Sequence, residues 1–126
     1  MKINAMKLQA KDLMVDDWVY IKDYPIKSQP QKVKPEHFVR SLVEFEPILI
    51  NKEILEKNGF VEDDNDDCWG DANCFFIPNY VDKNIISWET HIEPTNGRGD
   101  FNGNLTYVHE FQHALKLCGI EKEITL

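Results

Sequence analysis

Toward the end of the chain the sequence reads His109-Glu110-Phe111-Gln112-His113. Residues four apart share one face of a helix, so the two imidazoles could grip a single Zn²⁺. Glu110 would then act as general base on a metal-bound water, the chemistry of peptide hydrolysis.

That chemistry needs a third ligand. A catalytic zinc keeps three protein ligands and one open position. In the metzincin version of the helix, a glycine follows the second histidine by three residues and a histidine by six. Here those positions hold Lys116 and Gly119. The other common solution takes a glutamate from a later helix. Few residues follow His113, and Gly119 stops the helix among them. Glu121 and Glu123 remain, with nothing in the sequence to bring them to the histidines. A pattern with three fixed positions in five also arises by chance. His109, Gln112, His113 and Lys116 read instead as the wet face of an amphipathic helix. The sequence therefore predicts no catalytic residue, no cofactor and no resident metal. His109, His113 and Glu110 are the candidates for the alternative, a small zinc-dependent hydrolase.

Other patterns carry less. Glu62 to Asp67 is acidic enough to suggest calcium. An EF-hand loop begun at Asp63 needs glycine sixth and glutamate twelfth, where Cys68 and Cys74 stand. It reads as an acidic turn. Arg98-Gly99-Asp100 lies in a glycine-rich turn from Asn96 to Asp100 and reads as coincidence. His37 and His91 stand alone and take polar structural roles. Cys68, Cys74 and Cys118 form no zinc-knuckle spacing and read as thiols in a reducing compartment.

Two helices would position the candidate residues. Asn51 can cap a helix near 52–58, and Gly59 can end it with Phe60 against Leu55. Tyr107, Val108, Phe111, Ala114, Leu115 and Cys118 form one apolar side of a second helix near 106–118. Asn104 or Thr106 would cap its start, and Gly119 with Ile120 would end it. Glu121 to Leu126 is then a tail or edge strand. Trp18 to Lys22, Trp69 to Pro78 and Ile85 to Ile92 are strand candidates. Asp23-Tyr24-Pro25 and Ser28-Gln29-Pro30 mark turns. His37 to Phe45 alternates in part, with Phe38, Leu42, Val43 and Phe45 as expected core residues. The predicted class is α+β: a small, largely antiparallel sheet, a barrel-like N-terminal half, one short helix and one amphipathic C-terminal helix. One domain over 1–126 is expected, divisible into a β-rich 1–50 and an α+β 51–126.

The chain has 126 residues and a formal net charge of −8. That balance repels phosphate and argues against nucleic acid as the partner. No apolar run approaches the roughly 20 residues that span a bilayer. Met1 to Ala10 has no apolar stretch with a cleavage site. The expectation is a cytoplasmic chain that meets a protein partner and no membrane.

Three segments are familiar together. Leu13 to Tyr20, L-M-V-D-D-W-V-Y, resembles an opening of the form L-R-I-G-N-x-V. Phe45 to Phe60 resembles I-E-P-I-x-L-x-E-E-x-L-x-K-x-G-F. Tyr107 to Leu126 resembles Y-V-H-Q-L-Q-x-x-x-x-L-x-G-x-E. In this the chain is similar to small uncharacterised proteins of gut bacteria and their prophages, a group without an assigned function. The resemblance implies an intracellular accessory role on a mobile element; that the role is non-enzymatic is expected because a structural reading accounts for every motif. Asp16-Asp17 replaces the Gly-Asn of that opening, and Glu110 replaces a glutamine.

Overall fold

The computed structural model describes residues 12–23, 29–38, 43–63, 67–94 and 99–126. The Asp23–Pro25 turn past Asp23, Leu42, the middle of the acidic run and Arg98 with its turn lie outside them. The described chain is α+β, with two antiparallel sheets and two α-helices. It divides into two compact units. One comprises residues up to 49 with 107–109, the other 50–106 with 110–126.

In the first unit, β1 (Trp18–Asp23) pairs with β2 (Gln29–Lys32) on one side and β3 (Val43–Pro47) on the other. The expected barrel is not there: the sheet is open, with β2 and β3 as its edges. Closure needs many more tilted, staggered strands than three. Of the turn expected at Ser28-Gln29-Pro30, Gln29 and Pro30 are instead strand, and Ser28 lies outside the described residues. Proline is tolerated there because β2 is an edge, where its missing N–H costs least. A 3-10 helix, Pro35–Phe38, precedes β3, and its His37 accepts the Lys34 N–H at Nδ1. Val19, Ile21, Val33, Phe45 and Leu13 form the core, with Phe38 against it. The tight turn before β1 is present despite its two aspartates. Asp16 takes φ 74°, a conformation glycine adopts more readily, and Asp17 Oδ2 accepts the Met14 N–H.

The second unit is a five-stranded meander in the order β4-β5-β6-β7-β8. Its strands are β4 (Val61–Asp63), β5 (Cys68–Gly70), β6 (Cys74–Val81), β7 (Asn84–Ile92) and β8 (Phe101–Leu105). The single strand expected over 69–78 is split by a turn. Asp71 Oδ1 accepts the N–H groups of Asn73 and Cys74, and Asp71 N–H donates to Cys74 C=O. Such an aspartate turn reverses the chain without glycine in the bend.

Helix α1 (Lys52–Lys57) is built from the signals its sequence carries. Asn51 Oδ1 accepts the Ile54 N–H. Gly59 has φ 87°, Gly59 N–H bonds Glu56 C=O, and Phe60 N–H bonds Leu55 C=O. Helix α2 (Val108–Leu117) ends likewise, with Gly119 N–H on Lys116 and Ile120 N–H on Leu115. Both endings are Schellman motifs. Phe111 of α2 meets Phe60 and Phe76 edge-to-face at 5.8 and 5.0 Å. Phe60 and Phe76 close the trio at 5.0 Å. Trp88, Ile92, Leu105, Ala114, Leu115 and Cys118 complete this core.

The chain after α2 is a tail, and Asn58 holds it by two hydrogen bonds. Asn58 Nδ2 donates to the Thr125 C=O, and its Oδ1 accepts the Thr125 N–H. The amide imitates a strand partner. Ile124 is buried, and Lys57 Nζ donates to the Leu126 carbonyl oxygen. Asn58→Ala is expected to cost about 1–3 kcal/mol, because the Thr125 groups lose their partner and water cannot fully replace it. Chemical denaturation measures the loss; a change within 0.5 kcal/mol, the ordinary range for surface sites, contradicts it.

Candidate functional site

The zinc pattern lies on α2, but its parts do other work. Glu110 Oε1 accepts the Thr106 N–H at 3.0 Å. This is close to a capping box, in which a glutamate in the first turn satisfies a backbone donor ahead of the helix. Asn104 is in β8 and accepts from Asn79, so it does not cap α2. His109 was expected on the wet face and is buried, at 5% exposure. Its ring stacks on Tyr107, centroids 5.9 Å apart. Residues 107–109 belong to the first unit, where Tyr107 bridges to Leu49 and Val108 N–H donates to Ile48 C=O, so the start of α2 has neighbours that a helical wheel does not contain. Gln112 and His113 are half-buried, and Lys116 is exposed.

Among the described residues no group of three or more His, Cys, Asp or Glu side chains is placed to hold a metal ion. Glu121 and Glu123 are exposed in the tail and join no such group. Two imidazoles one turn apart can still pick up metal weakly. We therefore expect dialysed protein to retain less than one tightly bound zinc per chain. Glu110→Ala is expected to cost about 0.5–2 kcal/mol, as a lost cap does. Metal analysis and thermal unfolding read the two effects. One tight metal per chain, lost in both His109→Ala and His113→Ala, would revive the hydrolase reading.

Two of the three thiols, Cys74 and Cys118, are shifted away from the thiolate form. None of the three cysteines is in a disulfide. Burial pushes the Cys74 thiol up to about 12, with the Asp71 carboxylate adding to it. Burial also raises Cys118, with a smaller contribution from Asp100. Reactive cysteines show the opposite shift.

The second unit presents a different arrangement on the face of its sheet away from the aromatic core. Strand alternation puts Phe75, Ile77 and Asn79 of β6 on that face, beside Ser87, Glu89 and His91 of β7. The register sets Phe75 opposite His91, and His91 opposite Asn102. The Phe75 and His91 rings stack at 4.5 Å and 14°. His91 Nδ1 lies 2.5 Å from Asn102 Oδ1, within hydrogen-bond distance. On its other side His91 Nε2 is 3.6 Å from Glu89. Asn79 Nδ2 donates to Ser87 Oγ and to Asn104 Oδ1. Phe75 nevertheless remains 39% exposed.

Nothing in this row is a sequence motif. Phe75, His91 and Asn102 are far apart in the chain, and only the pairing of three strands assembles them. The partial signal is the alternation of β6 and β7, which separates a buried set from an outer set containing Phe75 and His91.

No family model matches the chain, and no curated protein or solved structure is significantly similar to it. No helix among the described residues is long and apolar enough to cross a membrane.

Proposed function

We propose that this chain is a non-enzymatic accessory protein that works by holding a partner protein on the outer face of its five-stranded sheet. The observation that carries the reading is the Phe75–His91–Asn102 row. Its rings are aligned and its polar atoms matched, yet Phe75 is left exposed. Interfaces favour rigid aromatic groups with polar edges, since little side-chain entropy is lost when they are covered. A work surface of this kind needs no catalytic group. Nucleic acid fits poorly: from Val61 to Leu105 the sequence carries ten acidic residues and two basic ones. An intracellular setting accords with three cysteines outside any disulfide. The prophage or mobile-element origin rests on the resemblance of the three segments alone.

The test is site-specific photo-crosslinking in cells that express the chain. A photoreactive phenylalanine at position 77, on the face, should give a discrete protein adduct. The same group at position 52, on exposed α1, should not. Adducts from neither position, or the same adducts from both, would refute the reading.

A further inference from the structure

The two sheets have four edge strands among the described residues, and three of them carry features that keep an edge from pairing with another chain. β2 holds Pro30 and ends on Lys32, β3 holds Glu44, Glu46 and Pro47, and β4 is three residues long with Glu62 and Asp63. β8 has none of these features: it reads Phe-Asn-Gly-Asn-Leu, uncharged and without proline. Its neighbour among the described residues is β7 alone. Past β8 the backbone is engaged elsewhere, since Thr106 C=O accepts the Ile50 N–H. The open edge is therefore the five residues Phe101–Leu105.

Those residues follow nearly the same pattern in both directions, with Gly103 at the centre. Set antiparallel to itself about that glycine, β8 places Asn102 opposite Asn104 of a second copy and Phe101 opposite Leu105. Residues directly opposite share a face of the sheet. The Phe101–Leu105 pairs therefore continue the inner side, where Leu105 is buried and Phe101 half-buried, and the asparagine pairs continue the exposed outer side. Both amides are already oriented by their own sheet. Asn104 Oδ1 accepts from Asn79 Nδ2, and Asn102 Oδ1 lies against His91 Nδ1. Each amide oxygen has a second lone pair and each Nδ2 carries two donors, so asparagines facing each other across the edge can bond at little cost in side-chain entropy. Gly103 adds no side chain at the two-fold axis, and the Phe101 ring lies across it: a Cβ there would stand 3.1 Å from Phe101 Cζ.

We infer that β8 pairs with β8 of a second copy of this chain, antiparallel and in the register centred on Gly103. The open backbone groups of the edge then find partners, and the two five-stranded sheets join into one continuous sheet. A two-fold contact uses the same patch on both subunits, which is what a self-complementary edge supplies. One short strand makes a small interface, so the dimer is weak and forms with rising concentration. Pairing at the edge leaves the outer face of the sheet uncovered, and its test is independent of the crosslink at position 77.

Sedimentation velocity of the whole protein, from roughly 10 μM to 1 mM, is expected to show a monomer–dimer equilibrium, as a small interface gives over that span. Amide exchange on the same samples should slow within residues 101–105 as concentration rises, and not at residues 61–63 on the opposite edge. Asn102→Lys combined with Asn104→Lys sets like charges opposite each other at both asparagine pairs and should weaken the dimer about tenfold or more. Asn102→Glu combined with Asn104→Lys sets opposite charges across the edge in this register, and not in one slipped by two residues. That variant should dimerise at least as tightly as the parent. Circular dichroism shows whether both variants fold; if either does not, the exchange comparison on the parent protein decides alone. A monomer at every concentration overturns the inference. So does a dimer that leaves exchange within 101–105 unchanged, or one that the Glu/Lys pair of substitutions weakens as much as the Lys/Lys pair.

Discussion

Phe111→Ala is expected to lower folding stability by about 3–5 kcal/mol, the range for deleting a large buried aromatic. Phe111 is 2% exposed and touches two other rings edge-to-face. Its removal opens a cavity between α2 and Phe76 of β6 and also takes away both ring contacts, each worth about 0.5–1.5 kcal/mol beyond area. Its neighbours cannot collapse easily, because Phe60 follows the Gly59 helix ending and Phe76 is fixed in mid-sheet. Leu115→Ala, one turn on and equally buried, should cost about 2–5 kcal/mol. Lys116→Ala, exposed on the same helix, should stay within about 0.5 kcal/mol. Urea denaturation of the three variants measures the contrast. Similar losses in all three would mean that α2 presents a different face.

Trp88→Ala is expected to be as damaging, again about 3–5 kcal/mol. Trp88 is 1% exposed in the middle of β7, and its Nε1–H donates to the Ile50 carbonyl at 3.0 Å. Ile50 in turn donates its N–H to Thr106. One side chain thus fills the core and ties down the segment that leads into α1. Trp88→Phe separates the two contributions. It keeps most of the packing and leaves the Ile50 carbonyl short of its donor, at a cost of about 1–3 kcal/mol. If the alanine and phenylalanine variants unfold at the same denaturant concentration, the hydrogen bond rather than the ring supplies the stability. If both match the parent, Trp88 lies outside the cooperative core.

What the sequence determined by itself is local. The ends of both helices are readable because the forces that set them act within one turn. Asn51 caps α1 through its own side chain, and Gly59 and Gly119 adopt positive φ where other residues would be strained. The apolar stripe of α2 follows from a period of 3.6 residues, and Phe111, Ala114, Leu115 and Cys118 are buried as it requires. The cap made by Glu110 is also local, four residues after Thr106, and the same residue fills the glutamate position of the zinc pattern. The tertiary structure decided what depends on pairing across distance. Strand β8, Phe-Asn-Gly-Asn-Leu, has weak intrinsic preference for extension and exists because β7 provides its hydrogen bonds. His109 is buried with its ring stacked on Tyr107, and a distant segment, Ile48 and Leu49, pairs with the residues just before it. The candidate face is the clearest case. Phe75, His91 and Asn102 become neighbours only when β6, β7 and β8 align in one register, and a slip of a single residue would turn each of them to the opposite side of the sheet.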